Sequence, residues 1–199
     1  RPEAIVEAQR KSFELALRLA EHAPAPVKFL NLGGGFGIPY FPGEQRLELA
    51  SIGANLAAIV DEARTALPQA GIVIELGRYL VGEAGIYVSR VIDRKVSRGH
   101  TYLVTDGGLH HHLSASGNFG QVIRKNYPAA IGNRMDAAPG EACSVVGPLC
   151  TPLDLLADRM NLAEAGPGDL VVIYQSGAYG PSASPQAFLG HPASIEVLV

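Results

Sequence analysis

The sequence predicts a molecule in two parts, a parallel α/β unit followed by a half built of antiparallel β-structure. Three observations carry that prediction. Two short apolar runs, VKFLNL (27–32) and GIVIELGR (71–78), flank a segment of helical spacing, and strand, helix, strand with short links is the pattern of a parallel unit. Beyond residue 84, alternating and β-branched stretches replace the helical ones. Gly and Pro then divide that second half into short pieces, as turns between strands do. The boundary falls near 83–86, giving segments 1–84 and 85–199.

Each element follows from local pattern. Residues 2–22 set Ile5, Phe13, Leu15, Leu17 and Leu19 among Glu, Arg and Lys, which predicts a helix; Pro24 and Pro26 stop it. VKFLNL is long enough for a buried strand and too short for a helix, and GGGFG (33–37) follows at once. Residues 46–67 have helical spacing up to Pro68, and GIVIELGR reads as a second buried strand closed by Gly77. In the second half, IYVSRVIDRKVS (86–97), HTYLVTDGG (100–108), ACSVVGPLC (142–150) and DLVVIYQS (169–176) are the predicted strands. There is no internal repeat and no low-complexity segment.

Composition removes several function classes. At 199 residues with 47% hydrophobic and 18% charged, the chain is not a disordered tail. A net charge of −3, from 16 basic and 19 acidic residues, does not favour a nucleic-acid partner. No run approaches the roughly 18–20 apolar residues of a membrane span, and the charged amphipathic start is not a signal peptide. Cys143 and Cys150 lack CxxC spacing, so neither a disulfide framework nor a zinc site is expected, and a reducing cytoplasmic setting fits.

Several motifs could carry chemistry. Gly33, Gly34 and Gly35 sit at the end of a predicted buried strand, where successive glycines let backbone N–H groups converge on an anion. Phosphate is the natural occupant there; the alternative is a turn that needs positive φ. Ile38 stands where the dinucleotide fingerprint needs Gly, and no Lys-Ser/Thr follows as in a P-loop. Glu75 and Arg78 lie in ELGR; Arg suits phosphate or carboxylate and Glu a protonated ring nitrogen, although alone the pair reads better as a local salt bridge at a strand end. Cys150, in GPLCTPLD, is a thiol held by a Gly-Pro turn and able to act as acid or nucleophile, or else a small buried hydrophobe. Tyr179 in GAYG could offer its hydroxyl to a phosphate or simply occupy a turn. Asp106-Gly107-Gly108 is a turn signal. His110, His111 and His112, taken as neighbours on a strand, would face alternate sides and not share a metal.

The order GGGFG, ELGR, DGG, GPLCTPLD, GAYG resembles the fold-type III pyridoxal-phosphate decarboxylases, the ornithine, arginine and diaminopimelate decarboxylase group, over about residues 27–192. LHHHLSASGNFGQVIRKNYP is similar to the branch associated with bacterial exosortase and exopolysaccharide loci. The resemblance implies the last strands and helices of a pyridoxal-phosphate-binding (β/α)8 barrel over 1–84 and a C-terminal β domain over 85–199. A whole barrel needs about 250 residues, so a C-terminal portion is expected. The resemblance further implies that Gly33, Gly34 and Gly35 hold the cofactor phosphate, with Arg78 and Tyr179 beside it, and that Glu75 binds the pyridine nitrogen. Cys150 would donate a proton after CO₂ leaves, and Asn118 and Thr151 would lie near the distal end of an amino-acid substrate. The implied assembly is a homodimer with shared active sites. The family's cofactor-anchoring lysine is expected upstream of Arg1, because Lys11, Lys28, Lys95 and Lys125 lie outside its motif, so the chain alone is expected to be inactive. Thr151 stands where relatives carry an acidic residue, and Ser114 and Asn118 stand roughly where the diaminopimelate enzymes carry Arg and Tyr. Both departures argue against a standard diaminopimelate or ornithine substrate. The rival readings are a phosphate-ligand binding or dimerisation module without chemistry, and a barrel racemase, against which Cys150 in its motif argues.

Overall fold

A computed structural model describes residues 1–41 and 43–199. Its described residues form two compact units, Arg1–Pro39 with Glu44–Leu80, and Tyr40–Gly43 with Val81–Val199.

The first unit contains α1 (Pro2–Ala20), β1 (Phe29–Asn31), α2 (Ala50–Ala66), β2 (Gly71–Val73) and most of a five-residue helix, α3 (Gly77–Val81). Pro2 starts α1 where a missing N–H costs nothing, and Ile5, Gln9 and Phe13 line its buried face at successive turns. α2 begins later than the sequence spacing suggests, because Glu48 Oε1 accepts the Ala50 amide at 2.6 Å and leaves residues 46–49 outside the helix. β1 and β2 pair in parallel, Leu30 opposite Ile72. Leu30 and Leu32 point toward Phe13, Ile59, Ala63 and Leu67, with Ile72 and Ile74 packed against that cluster. The opposite face carries Phe29, Asn31, Val73 and Glu75, all exposed, Phe29 at 77%. Parallel strands ordinarily have both faces covered; here helices cover one.

The second unit is a six-stranded sheet in the order β5-β8-β3-β4-β6-β7, from β3 (Tyr87–Ser97), β4 (His100–Thr105), β5 (Ala129–Ile131), β6 (Glu141–Val146), β7 (Leu155–Leu162) and β8 (Leu170–Ile173). The strands are antiparallel to their neighbours except β4 and β6, which run parallel, Leu103 opposite Val145. That pair corrects the purely antiparallel expectation. The long connection 106–140 supplies the crossover that parallel neighbours require. At the open edge, the Asn126 side chain acts as a strand residue: its Nδ2 donates to the Asp158 carbonyl at 2.7 Å and its Oδ1 accepts the Asp158 amide at 2.8 Å. The segment leading into β5 is thereby tied to β7, and the sheet curls toward closure. Leu103, Cys143, Val145 and Val171 are fully buried in this sheet. Among the described residues, no helix is long and apolar enough to cross a membrane.

Candidate functional site

In the first unit the glycine run is held at both ends. Asn31 at the end of β1 accepts the Gly33 amide through Oδ1 at 2.8 Å and donates through Nδ2 to Glu75 Oε1 at 2.5 Å. The Glu75 amide in turn donates to the Gly33 carbonyl at 2.8 Å. At the far end Phe36 is buried against Ile5, Ile52 and Tyr79, its ring 5.8 Å from that of Tyr79. Gly33 and Gly35 have φ of 78° and 86°, conformations that a side chain disfavours. Gly34 is required for another reason: a Cβ there would collide with the Glu75 carbonyl oxygen. Among the described residues, none accepts a hydrogen bond from the amides of Gly34, Gly35 or Phe36. The result is a fixed loop at the C-terminal end of a strand with open backbone donors and a side-chain-anchored carboxylate at its base. The sequence places Arg78 on a strand; the structure puts it on α3, because β2 ends at Val73 and the chain turns helical at Gly77.

This arrangement fits a phosphate-bearing aromatic cofactor. Open amides in a glycine loop suit a dianion, and an exposed carboxylate held by Asn31 suits a protonated ring nitrogen.

In the second unit, four sequence-derived residues are linked. Cys150 is exposed, while Leu149 before it is buried. The turn around the thiol is closed by Thr151 N–H donating to the Leu149 carbonyl (2.9 Å) and Asp154 N–H donating to the Thr151 carbonyl (3.1 Å). Asn118 Nδ2 donates to the Leu153 carbonyl at 3.1 Å and to Ser116 Oγ at 2.7 Å, so its amide ties the 113–128 loop to the cysteine turn. The next residue, Phe119, lies 5.8 Å ring to ring from Tyr179. Tyr179 has φ of 57°, a left-handed conformation that is uncommon for a bulky side chain and costs roughly 1–2 kcal/mol. Gly177, two residues earlier, lies so close to the Val81 carbonyl that no Cβ fits there.

The histidines lie in a turn after β4 and not on a strand, which removes the alternate-face premise. Each has its own surroundings. His112 donates from Nε2 to Ser176 Oγ (2.9 Å) and accepts the Ala115 amide at Nδ1 (3.3 Å), and burial pushes its pKa down to about 4. It fastens the post-DGG loop to the end of β8, just before GAYG. His111 donates from Nε2 to the Pro192 carbonyl (2.7 Å) and accepts the Tyr87 hydroxyl at Nδ1 (3.1 Å). The Tyr87 hydroxyl is shifted well above its ordinary range by burial. His110 is fully buried between the rings of His111 and His191, and burial and His111 lower its pKa. Cys143 is fully buried in β6, and burial pushes its thiol up to about 11.

Two positions carry weight that residue-type reasoning did not assign. Asn31 precedes the glycine run, and only the paired strands reveal that it bridges Gly33 and Glu75. Asp154 closes GPLCTPLD; a lone acidic residue at the end of an otherwise uncharged turn motif was the available signal.

Comparison with known proteins gives a consistent picture. The family described as "Pyridoxal-dependent decarboxylase, C-terminal sheet domain" matches residues 40–177. L-glutamyl-[BtrI acyl-carrier protein] decarboxylase of Niallia circulans is 42% identical over 98% of this chain and 46% of its own length. Diaminopimelate decarboxylase of Thermoplasma acidophilum is 32% identical over 98% of this chain and 44% of its own. The crystal structure of Helicobacter pylori diaminopimelate decarboxylase complexed with L-lysine superposes with a TM-score of 0.72 at 26% identity, covering 94% of this chain and 43% of that one. The chain thus spans about half the length of the relatives it matches.

Proposed function

Since the chain belongs to the pyridoxal-dependent decarboxylase family, we propose that it is the C-terminal portion of an enzyme that removes CO₂ from an amino acid or an amino-acid-like substrate. The observation that carries this reading is the fixed Gly33–Gly35 loop, open at the Gly34 and Gly35 amides and joined at Gly33 through Asn31 to Glu75. Pyridoxal phosphate, when bound, supplies an electron sink for the charge left by the departing carboxyl group. The chain's own residues bind and orient. The amides at Gly34 and Gly35 and the Arg78 guanidinium would hold phosphate oxygens, whereas the Gly33 amide is taken by Asn31 Oδ1; the Tyr179 hydroxyl, on the second unit, is a further candidate phosphate donor. The Glu75 carboxylate, aimed by Asn31 Nδ2, keeps a proton on the ring nitrogen. Cys150 Sγ holds the proton delivered to the substrate carbon that has lost its carboxyl group.

The uncovered face of β1 and β2, with Phe29 and Val73 exposed on it, supports a place in a larger barrel. Around the Cys150 turn, Phe119, Val122, Ile123 and Leu153 are exposed, which supports a homodimer in which this turn reaches the partner's barrel. The only carboxylate in GPLCTPLD is buried, and Thr151 adds no charge. A distal end that is uncharged or extended, as in an acyl-carrier-bound amino acid, fits this turn better than a second ammonium group. Two free cysteines suit a cytoplasmic enzyme.

The test is made in the polypeptide that joins this chain to its barrel, assaying CO₂ release from carrier-bound glutamate, free glutamate, diaminopimelate and ornithine. Turnover of the carrier-bound substrate that falls at least tenfold in Cys150→Ala and in Glu75→Gln is expected. Absence of CO₂ release from any amino-acid substrate, or Cys150→Ala indistinguishable from wild type, refutes the reading.

A further inference from the structure

We propose that Asp154 is the positioning residue of the Cys150 thiol, a carboxylate that clips the DGG turn to the cysteine turn. Asp154 is 3% exposed. Its Oδ1 accepts the Leu109 amide at 2.6 Å and its Oδ2 the Leu149 amide at 2.9 Å, two donors forty residues apart in the sequence and each close to a turn glycine. The Asp154 backbone adds two more bonds, accepting the Gly147 amide at 3.0 Å and donating to the Thr151 carbonyl at 3.1 Å. The carboxylate fills the space that a Cβ would need at Gly108 and at Gly147. Glycine at both positions is therefore explained by Asp154, and the three residues form one device.

The arrangement decides what Asp154 does. A carboxylate with one backbone donor on each oxygen, and almost no exposed surface, is engaged inward and is not available to a substrate cation. Charge-assisted bonds from backbone amides are among the stronger hydrogen bonds. Each here fixes a residue with a buried side chain, Leu109 and Leu149, both 7% exposed. With Leu149 anchored inward by its side chain and its amide, the following residue is directed outward, and that residue is Cys150. The DGG turn is rigid in its own right: Asp106 Oδ1 accepts the Arg90 amide at 2.8 Å, and Thr105 Oγ1 donates to the Gly107 carbonyl at 2.7 Å. Asp154 thus transmits the rigidity of the β3–β4 end to the thiol.

The proposal rests on the reading that Cys150 delivers a proton, and its test separates the two ideas. Amide exchange on the full chain reads the clip itself. Asp154→Ala is expected to speed exchange at Leu109 and Leu149 together by at least tenfold, and Asp154→Asn, which keeps one acceptor oxygen, at one of the two. Cys143 stays inert to a thiol reagent in both variants if the sheet is intact. Unchanged exchange at both amides, or acceleration spread evenly over β3–β8, overturns the clip. Turnover in the barrel-containing polypeptide reads the positioning. Asp154→Asn is expected to lower kcat with KM held, and to cost nothing further when added to Cys150→Ala. Fully additive losses overturn the positioning role. A silent Cys150→Ala would instead defeat the decarboxylase reading, while exchange still decides the clip.

Discussion

Acidification is expected to weaken the second unit through His112. The ring is 1% exposed and engaged at both nitrogens, and burial takes its pKa from 6.5 down to about 4. Between those values the unfolded chain binds a proton that the folded chain does not. Stability is therefore full above about 6.5 and is lost as the pH falls toward 4. At about 1.36 kcal/mol for each pH unit between the two values, the whole loss is about 3 kcal/mol, with about 2 kcal/mol of it falling between pH 7 and pH 5. His110, also lowered by burial, acts in the same direction, so comparison with His112→Gln isolates the one group. The chain has no tryptophan, so urea unfolding is followed by circular dichroism at both pH values, alongside the proton-NMR titration of the His112 ring. Wild type should lose about 2 kcal/mol more than His112→Gln over this interval. A His112 midpoint near 6.5, or the same acid loss in both proteins, refutes the reasoning.

Other predictions follow from single contacts. Phe13→Ala empties a fully buried position in the first unit and should cost about 3–5 kcal/mol in denaturant unfolding of that unit. Gly34→Ala drives a methyl group into the Glu75 carbonyl; a loss of about 1–3 kcal/mol is expected, with weaker phosphate binding read by calorimetry. Asp169 is held below the usual carboxylate range by Asn133, the Gly166 amide and Arg134. Its stabilisation is present above the ordinary carboxylate pKa and disappears as the pH drops through the lowered one, so Asp169→Asn should flatten the acid limb of a thermal-melt profile.

Sequence pattern located the glycine loop and the cysteine turn because both depend on residue types with narrow uses. Gly33 and Gly35 require positive φ and Gly34 a close approach, and each need leaves a glycine in the sequence. β7 escaped the strand reading. LLADRMNL is rich in residues that favour helices, and its burial does not alternate, because a bulge with Arg159 at φ 46° interrupts the pairing. Ser144 Oγ stabilises that bulge from β6, accepting the Arg159 amide at 3.0 Å; no local signal announces such a partner. Asn118 was legible as a polar loop residue, but the structure shows its amide engaged with Ser116 and Leu153. Asp154 stood within a recognised motif, yet its partners lie on a turn forty-odd residues upstream and within its own turn. What escaped the sequence reading were mainly bonds between side chains and distant backbone, which depend on register.

The left-handed backbone at Tyr179 sets a trap for anyone engineering this protein for heat resistance. Swapping that phenol for glycine would relax the main chain, and a design scored on backbone strain alone would select it. The same swap discards the hydroxyl and the ring that rests on Phe119. At this position relief of strain is set against a side chain proposed to bind the cofactor phosphate, and a campaign that leaves Tyr179 untouched avoids the exchange.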